Sequence, residues 1–279
     1  KDPIIMRQGQ ELIRDIDERR LGADEFALWW LGQHSFIAKF GETVLYLDLY
    51  LAPSKARQVP PLLSPEDVSH AAAFLGTHDH GDHIDRKTWP ALAAAAPGAK
   101  FVVPDLVRPN LIEDLPIAAD RYIGLDDGQS TMIGGVKITA IPAAHELLDR
   151  DEATGRYPYL GYILEYNGMA LYHSGDTCIY EGMQDKLRQW TLDAALLPIN
   201  GRDAERFKRN CIGNMTYQEA VDLAGAIRPR LTIPTHFDMF ANNSENPQLF
   251  LDYIAAKYPK IKARMANYGE CLIVKKAGE

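Results

Sequence analysis

Cysteine is scarce: Cys178, Cys211 and Cys271 are the only three in 279 residues. Their spacing suggests no pairing, and an odd number makes a poor disulfide framework, so a reducing compartment, the cytoplasm, is expected. Long apolar runs are also missing, and none approaches a membrane span. Residues 1–20 are too polar and charged for a signal peptide. No amphipathic segment suits a phospholipid surface, so a membrane partner is not expected. Basic residues are in deficit, with 30 Lys and Arg against 38 Asp and Glu and a net charge of -8. A nucleic-acid partner needs a basic footprint and is therefore not expected either. Repeats, low-complexity tracts and a Ser or Cys nucleophile beside a base are likewise lacking.

Hydrophobic residues make up 46% of the chain, enough for a substantial core, and charged residues 24%. Apolar Leu12, Ile13 and Ile16 share one helical face, which predicts a helical extension over 1–24. Strand-like runs follow at 26–31, 35–40 and 43–49, punctuated by Gly32 and Gly41. A proline-rich connection over 52–65 leads to a strand at 71–76 and a helix at 85–96 that stops at Pro97-Gly98. A strand at 101–103, a helix at 106–115 and a strand at 121–125 come next. Asn167-Gly168 marks a hairpin between 159–166 and 169–173. Further strands are expected at 136–142, 192–199, 231–234, 260–265 and 271–275, and helices at 181–190, 216–227 and 247–258. No linker divides the chain. The pattern predicts a single α+β domain over 1–279, two sheets covered by helices on their outer faces.

Against this background one stretch stands out, Thr77-His78-Asp79-His80-Gly81-Asp82-His83. It holds three of only eight histidines and reads His-x-His-x-Asp-His between a strand and a helix, where loops place side chains in clefts. Imidazole suits zinc, iron and related ions, and an added carboxylate fits two adjacent divalent cations. Three later ligand-type residues each follow an apolar strand: His145, Asp176 and His236. Five histidines and two aspartates are too many for one closed structural zinc and suit two metals with open positions. Asp48, closing the strand 43–49, is expected to orient the histidine loop from behind. Arg202, Arg206, Lys208 and Arg209 cluster in a loop after 192–199, and guanidinium forks suit phosphate or carboxylate, so these four are the expected substrate-binding residues. His34 and His173 read as structural histidines near the cleft, His70 as an exposed helix-end residue and Cys178 as small and buried.

Taken together, the His-x-His-x-Asp-His loop, the later lone histidine, Ser174-Gly175-Asp176-Thr177 and the final strand-end His236 resemble the metallo-β-lactamase superfamily. More narrowly, Trp29-Trp30-Leu31-Gly32, the run from Leu47 to Leu51, Asn200-Gly201-Arg202-Asp203, the run from Ile212 to Thr216 and the run from Pro234 to Phe240 resemble its L-ascorbate-6-phosphate lactonase branch. The resemblance implies an αββα sandwich with metals along one edge. It implies His78, His80 and His145 on one ion, Asp82, His83 and His236 on the other, Asp176 between them, and Asp48 bracing the loop. The cofactor expected is a pair of divalent ions, manganese or zinc. The reaction expected is opening of a sugar-acid lactone by a metal-bridging hydroxide, with Asp82 or Asp176 carrying the proton. The alternative is a phosphodiesterase acting on a small phosphodiester. A small-molecule substrate, such as a phosphorylated sugar lactone, is the expected partner, and a homo-oligomer is a family-level expectation.

Overall fold

The computed structural model describes residues 1–276, so the last three positions of the expected 1–279 domain lie outside the described residues. Two seven-stranded mixed sheets face each other. The first runs β14 (Cys271–Lys275), β1 (Glu25–Trp30), β2 (Phe36–Phe40), β3 (Thr43–Leu47), β4 (Ala71–Leu75), β5 (Lys100–Pro104) and β6 (Tyr122–Leu125). The second runs β13 (Lys262–Ala263), β12 (Leu231–Thr235), β11 (Ala194–Pro198), β10 (Met169–His173), β9 (Leu160–Tyr166), β8 (Val136–Pro142) and β7 (Ser130–Ile133). The αββα layering expected from the sequence is the architecture observed.

Strand alternation explains the near-continuous apolar runs. In β1, Leu28 and Trp30 point into the core between the sheets, and Ala27 and Trp29 point to the opposite face, under the helices. Both faces are covered, so every second residue cannot be polar. The outer face of the first sheet is sealed by α1 (Gly9–Glu18) and α2 (Trp89–Ala95), through Ile13, Ile16 and Trp89. Lys39 is 1% exposed. Its Nζ donates to the carbonyls of Ile16 and Arg19 at 2.7 and 3.0 Å, so a buried cation closes the C-terminal end of α1, where free carbonyls concentrate negative charge.

Several boundaries differ from the sequence reading. The N-terminal helix spans Gly9–Glu18 rather than 1–24, because Ile5 forms a bridge to Tyr268 and Gly9 turns the chain at φ +55°. The helix expected over 85–96 begins at Trp89. Asp85 instead accepts the backbone N–H groups of Leu51 and Ala52, both at 2.9 Å, and the Thr88 hydroxyl at 2.7 Å. Strand β7 follows a gentle alternation that the sequence reading passed over. The 200–209 loop carries one helical turn, α3 (Ala204–Lys208), started by the Asp203 carboxylate on the Arg206 N–H at 2.8 Å.

These details matter for placement. The segments carrying Asp48, His78, His145, Asp176 and His236 follow the C-terminal ends of β3, β4, β8, β10 and β12. They converge on one edge of the sandwich. The second sheet props the histidine loop of the first. Leu160 N–H donates to the Thr77 carbonyl at 3.0 Å, and the Tyr162 hydroxyl donates to the Gly76 carbonyl at 2.7 Å.

Candidate metal centre

The histidine loop is built tightly. A Cβ on Gly76 would sit 2.4 Å from Ile84 Cγ1, so only glycine lets the chain leave β4 beside Ile84. Asp48, fully buried and at φ +46°, reaches across from β3. It accepts the Thr77 N–H and the Thr77 hydroxyl, both at 2.8 Å, and faces His83 Nδ1 at 2.6 Å. His78 Nδ1 lies 2.9 Å from Thr77 Oγ1. The Thr77 hydroxyl already donates to Asp48, so His78 Nδ1–H is the donor in that pair. Both histidines therefore carry their protons on Nδ1 and turn Nε2, with its lone pair, inward.

The other segments close around the same point. Gly175 has φ +61°, and a Cβ there would lie 2.4 Å from the Leu160 carbonyl oxygen. This turn, available only to glycine, aims Asp176 inward. Asp176 Oδ2 sits 3.1 Å from His83 Nε2, 3.2 Å from His236 Nε2, 3.4 Å from His145 Nε2 and 3.6 Å from His78 Nε2. Asp82 Oδ2 lies 3.2 Å from His83 Nε2 and 3.5 Å from His236 Nε2. The ligand-type atoms of His78, His80 and His145, of His78, His83 and Asp176, and of Asp82, His83 and His236 each lie within 4.8 Å of one another. The half-buried Tyr159 packs beside the His78, His80 and His145 rings, with centroids at 5.7, 6.2 and 5.2 Å.

Burial and charge oppose each other here. Burial raises the carboxyl pKa of Asp176, but the His236 and His83 charges outweigh it and hold the group well below the usual carboxylate range. Burial likewise works against Asp82, and His83 and His236 again prevail. Burial depresses His78 and His80. His83 is raised well above its ordinary value, since Asp176, Asp82 and Asp48 outweigh its burial. His236 is pushed up to about 9 against its burial, by Asp176 and Asp82. The carboxylates call for positive charge at this point, and a divalent cation meets that demand without protonating the imidazoles.

The fit of a metal rests on atoms left without partners. Among the described residues, the Nε2 atoms of His78, His83 and His236 and Oδ1 of Asp176 are buried and make no hydrogen bond. Buried polar atoms normally find partners, and their clustering on one point marks a ligand position. Imidazole and carboxylate donors suit zinc, manganese or iron.

Of the remaining expected residues, His34 and His173 are fully buried behind Asp176. His34 Nε2 lies 2.9 Å from the Gly175 carbonyl oxygen, and His173 Nε2 lies 2.8 Å from the His34 carbonyl oxygen. His70 pairs with Asp17 at 2.6 Å, and Cys178 is buried. Among the described residues no hydrogen bond or ion pair joins the four cations of the 202–209 loop to the seven clustered side chains, although Arg202 donates to the Asn214 carbonyl and Asn214 to that of His145. Arg202 pairs with Glu219 and Lys208 with Glu205. Arg206 turns inward, donating to Asp203 Oδ2 at 2.7 Å, the Asn200 carbonyl at 2.6 Å and Asn243 Oδ1 at 3.0 Å. Arg209 is exposed. Arg202 and Lys208 line a recess of ≈ 360 Å³ with Glu146 and Phe207, and neither Arg206 nor Arg209 lines it.

Sequence reasoning missed Gln33. It is fully buried at φ +52°. Its Nε2 donates to Asp82 Oδ2 at 2.8 Å, its N–H donates to Asp238 at 2.9 Å, and its carbonyl accepts the His236 N–H at 3.1 Å. The Tyr268 hydroxyl supports Asp238 from behind at 2.8 Å. Gln33 thus ties Asp82 to His236, and the only sequence signal was a polar residue after Gly32 between two apolar strands.

Comparison with known proteins follows the same lines. A UPF0173 metal-dependent hydrolase of Thermococcus kodakarensis is 30% identical over 230 residues, covering 82% of this chain and 92% of the relative. One from Thermococcus onnurineus is 28% identical over 225 residues, covering 80% and 90%. Among solved structures, Igni18, a metallo hydrolase of Ignicoccus hospitalis, shares the fold with a TM-score of 0.71 at 22% identity, over 91% of this chain and 100% of that one. The family model described as "Beta-lactamase superfamily domain" matches residues 46–237, the span from β3 to just beyond His236. The chain belongs to the β-lactamase superfamily, among its metal-dependent hydrolases.

Proposed function

We propose that this protein is a binuclear hydrolase that opens the lactone ring of a sugar acid. The observation carrying the two-ion reading is Asp176 Oδ2, which lies within 3.6 Å of imidazole nitrogens from both triads. A carboxylate oxygen shared in this way suits a bridge between two ions. His78, His80 and His145 would hold one cation, Asp82, His83 and His236 the other, and Asp176 both. Manganese and zinc both fit the donor set. When bound, such a pair supplies Lewis acidity, which acidifies water and polarises a carbonyl.

The chain's own groups do the rest. Asp48 and Thr77 fix the imidazole tautomers, so the inward nitrogens need no reorganisation during reaction. Asp82 is the better proton carrier of the two aspartates. Its side chain is 21% exposed and reachable from the cleft, whereas that of Asp176 is 4% exposed. Water adds across the ring ester: its oxygen joins the acyl carbon, the ring C–O bond breaks, and Asp82 passes the proton to the departing ring oxygen.

A panel of sugar lactones, with and without a phosphate, tests this on protein stripped of metal and reloaded with zinc or manganese. Ring opening is followed by pH-stat, and metal content is measured on the same samples. Turnover of lactones with two ions per chain is the expected result. Turnover of a chromogenic phosphodiester with no lactone opened would replace the reading with a phosphodiesterase.

A further inference from the structure

A metal-ligating side chain needs a partner behind it to hold its orientation, and not every member of the cluster has one in the histidine loop. His78 and His83 are held through Nδ1, by Thr77 and Asp48. Asp82 and His236 lack that support. Asp82 is the open member of its triad: its side chain is 21% exposed and lines a groove of ≈ 580 Å³ with Tyr50, Arg86, Lys87 and Phe240. His236 Nδ1 is buried and makes no hydrogen bond.

Gln33 reaches both. Its Nε2 donates to Asp82 Oδ2 at 2.8 Å, and its carbonyl accepts the His236 N–H at 3.1 Å. An ionised carboxylate only accepts, so the amide must turn its N–H₂ to Asp82. Apart from the facing nitrogens of His83 and His236, this amide is the only donor to the Asp82 carboxylate among the described residues. If those two nitrogens give their lone pairs to a cation, neither has a proton left for Asp82. Gln33 then remains to keep the carboxylate turned to the centre rather than toward Arg86 and Lys87 in the groove wall.

The turn that carries Gln33 is braced independently of its side chain. The Gln33 N–H donates to Asp238 Oδ1 at 2.9 Å, Trp30 Nε1 donates to the Gln33 carbonyl at 3.1 Å, and the Tyr268 hydroxyl holds Asp238 Oδ2 at 2.8 Å. The side chain itself is fully buried, and its Oε1 has no partner. A buried amide with one end unpaired costs stability, a cost that an apolar side chain of the same length avoids.

We propose that Gln33 is the positioning residue of the Asp82, His83 and His236 cation position, and that the His78, His80 and His145 position does not depend on it. The proposal rests on the two-ion reading above and is independent of the substrate.

Zinc titrations against a chromogenic chelator test it, with His80→Ala and Asp82→Ala as references that assign the two affinities to their triads. Gln33→Met keeps the length of the side chain and removes its amide. It should weaken the affinity of the Asp82 triad about 10–100-fold and leave the other unchanged. Gln33→Ala should show the same selectivity, and circular dichroism should show both variants folded. Equal weakening of the two affinities would make Gln33 a structural residue of the turn and overturn the proposal, and so would wild-type affinity at both. A wild type that holds a single cation would count against the two-ion reading instead. Gln33→Met would still decide: weakening of that one ion would uphold the positioning role, and wild-type affinity would overturn it.

Discussion

Two loops of this molecule leave a strand, enter a helix and concentrate charged or ligating side chains, yet they are opposite in construction. The 77–83 loop buries Thr77, His78 and His83, and it leaves the inward-facing nitrogens of the two histidines without partners. The 202–209 loop is largely exposed, and it neutralises itself: Arg206 with Asp203 and Lys208 with Glu205 are both pairs three residues apart. An exposed pair such as Lys208 with Glu205 contributes little to stability or function. The contrast teaches that abundance of functional residue types does not mark a site. What marks it is buried polar capacity that the protein itself leaves unspent.

The largest test of that contrast is Asp176→Ala. It removes an oxygen that faces imidazoles from both proposed triads, so on the two-ion reading both positions should weaken together. Metal content of the purified variant should fall below one ion per chain, and hydrolysis should fall to background. Retention of two ions would show that the triads hold metal independently and that Asp176 is not the bridge.

A smaller effect separates holding from orienting. Asp48 is buried behind His83 and touches Thr77 and His83, not the centre itself. Asp48→Asn turns an amide N–H₂ toward groups that already donate. Metal affinity or activity should drop about 10–100-fold, the usual cost of losing a carboxylate behind a metal-ligating histidine. Equilibrium dialysis with zinc checks this, and circular dichroism should show the fold retained. Wild-type affinity in Asp48→Asn would mean that the loop backbone alone fixes the imidazoles.

The same contrast explains what could be read from the sequence. The sheets were legible because both faces of strands such as β1 are buried, so apolar runs were long and turns were sharply marked. The seven clustered residues were legible because each follows a strand end, a position fixed by local pattern. Gln33 was not legible, because its role depends on Asp82 being brought beside it from 49 positions away. Nor was the state of the 202–209 loop. Arginines that grip a substrate and arginines that brace a turn have the same spelling, and only the contacts of Arg206 with Asn200 and Asn243 distinguish them. The groove beside Asp82 draws walls from 50–54, 79–87 and 240, which no contiguous motif joins. Even the start of α2 was misplaced by sequence, because Asp85 serves two backbone amides across the groove instead of opening the helix.

The smallest expected effect sharpens the comparison most directly. The Arg206 side chain is 17% exposed, and its donors serve Asp203, Asn200 and Asn243 within the protein. Arg206→Ala should therefore act on stability. Losing these bonds costs about 1–2 kcal/mol, and each kcal/mol lowers Tm by about 2–4 °C in a chain of this size. The affinity for 6-phosphogluconate relative to gluconate, two ligands that differ only in a phosphate, should be unchanged. A phosphate grip would behave in the opposite way, with Tm unmoved and the preference lost. Thermal unfolding and calorimetric binding on one preparation of Arg206→Ala give both readings together. A selective loss of the phosphate increment would make the 202–209 loop a ligand-binding element after all.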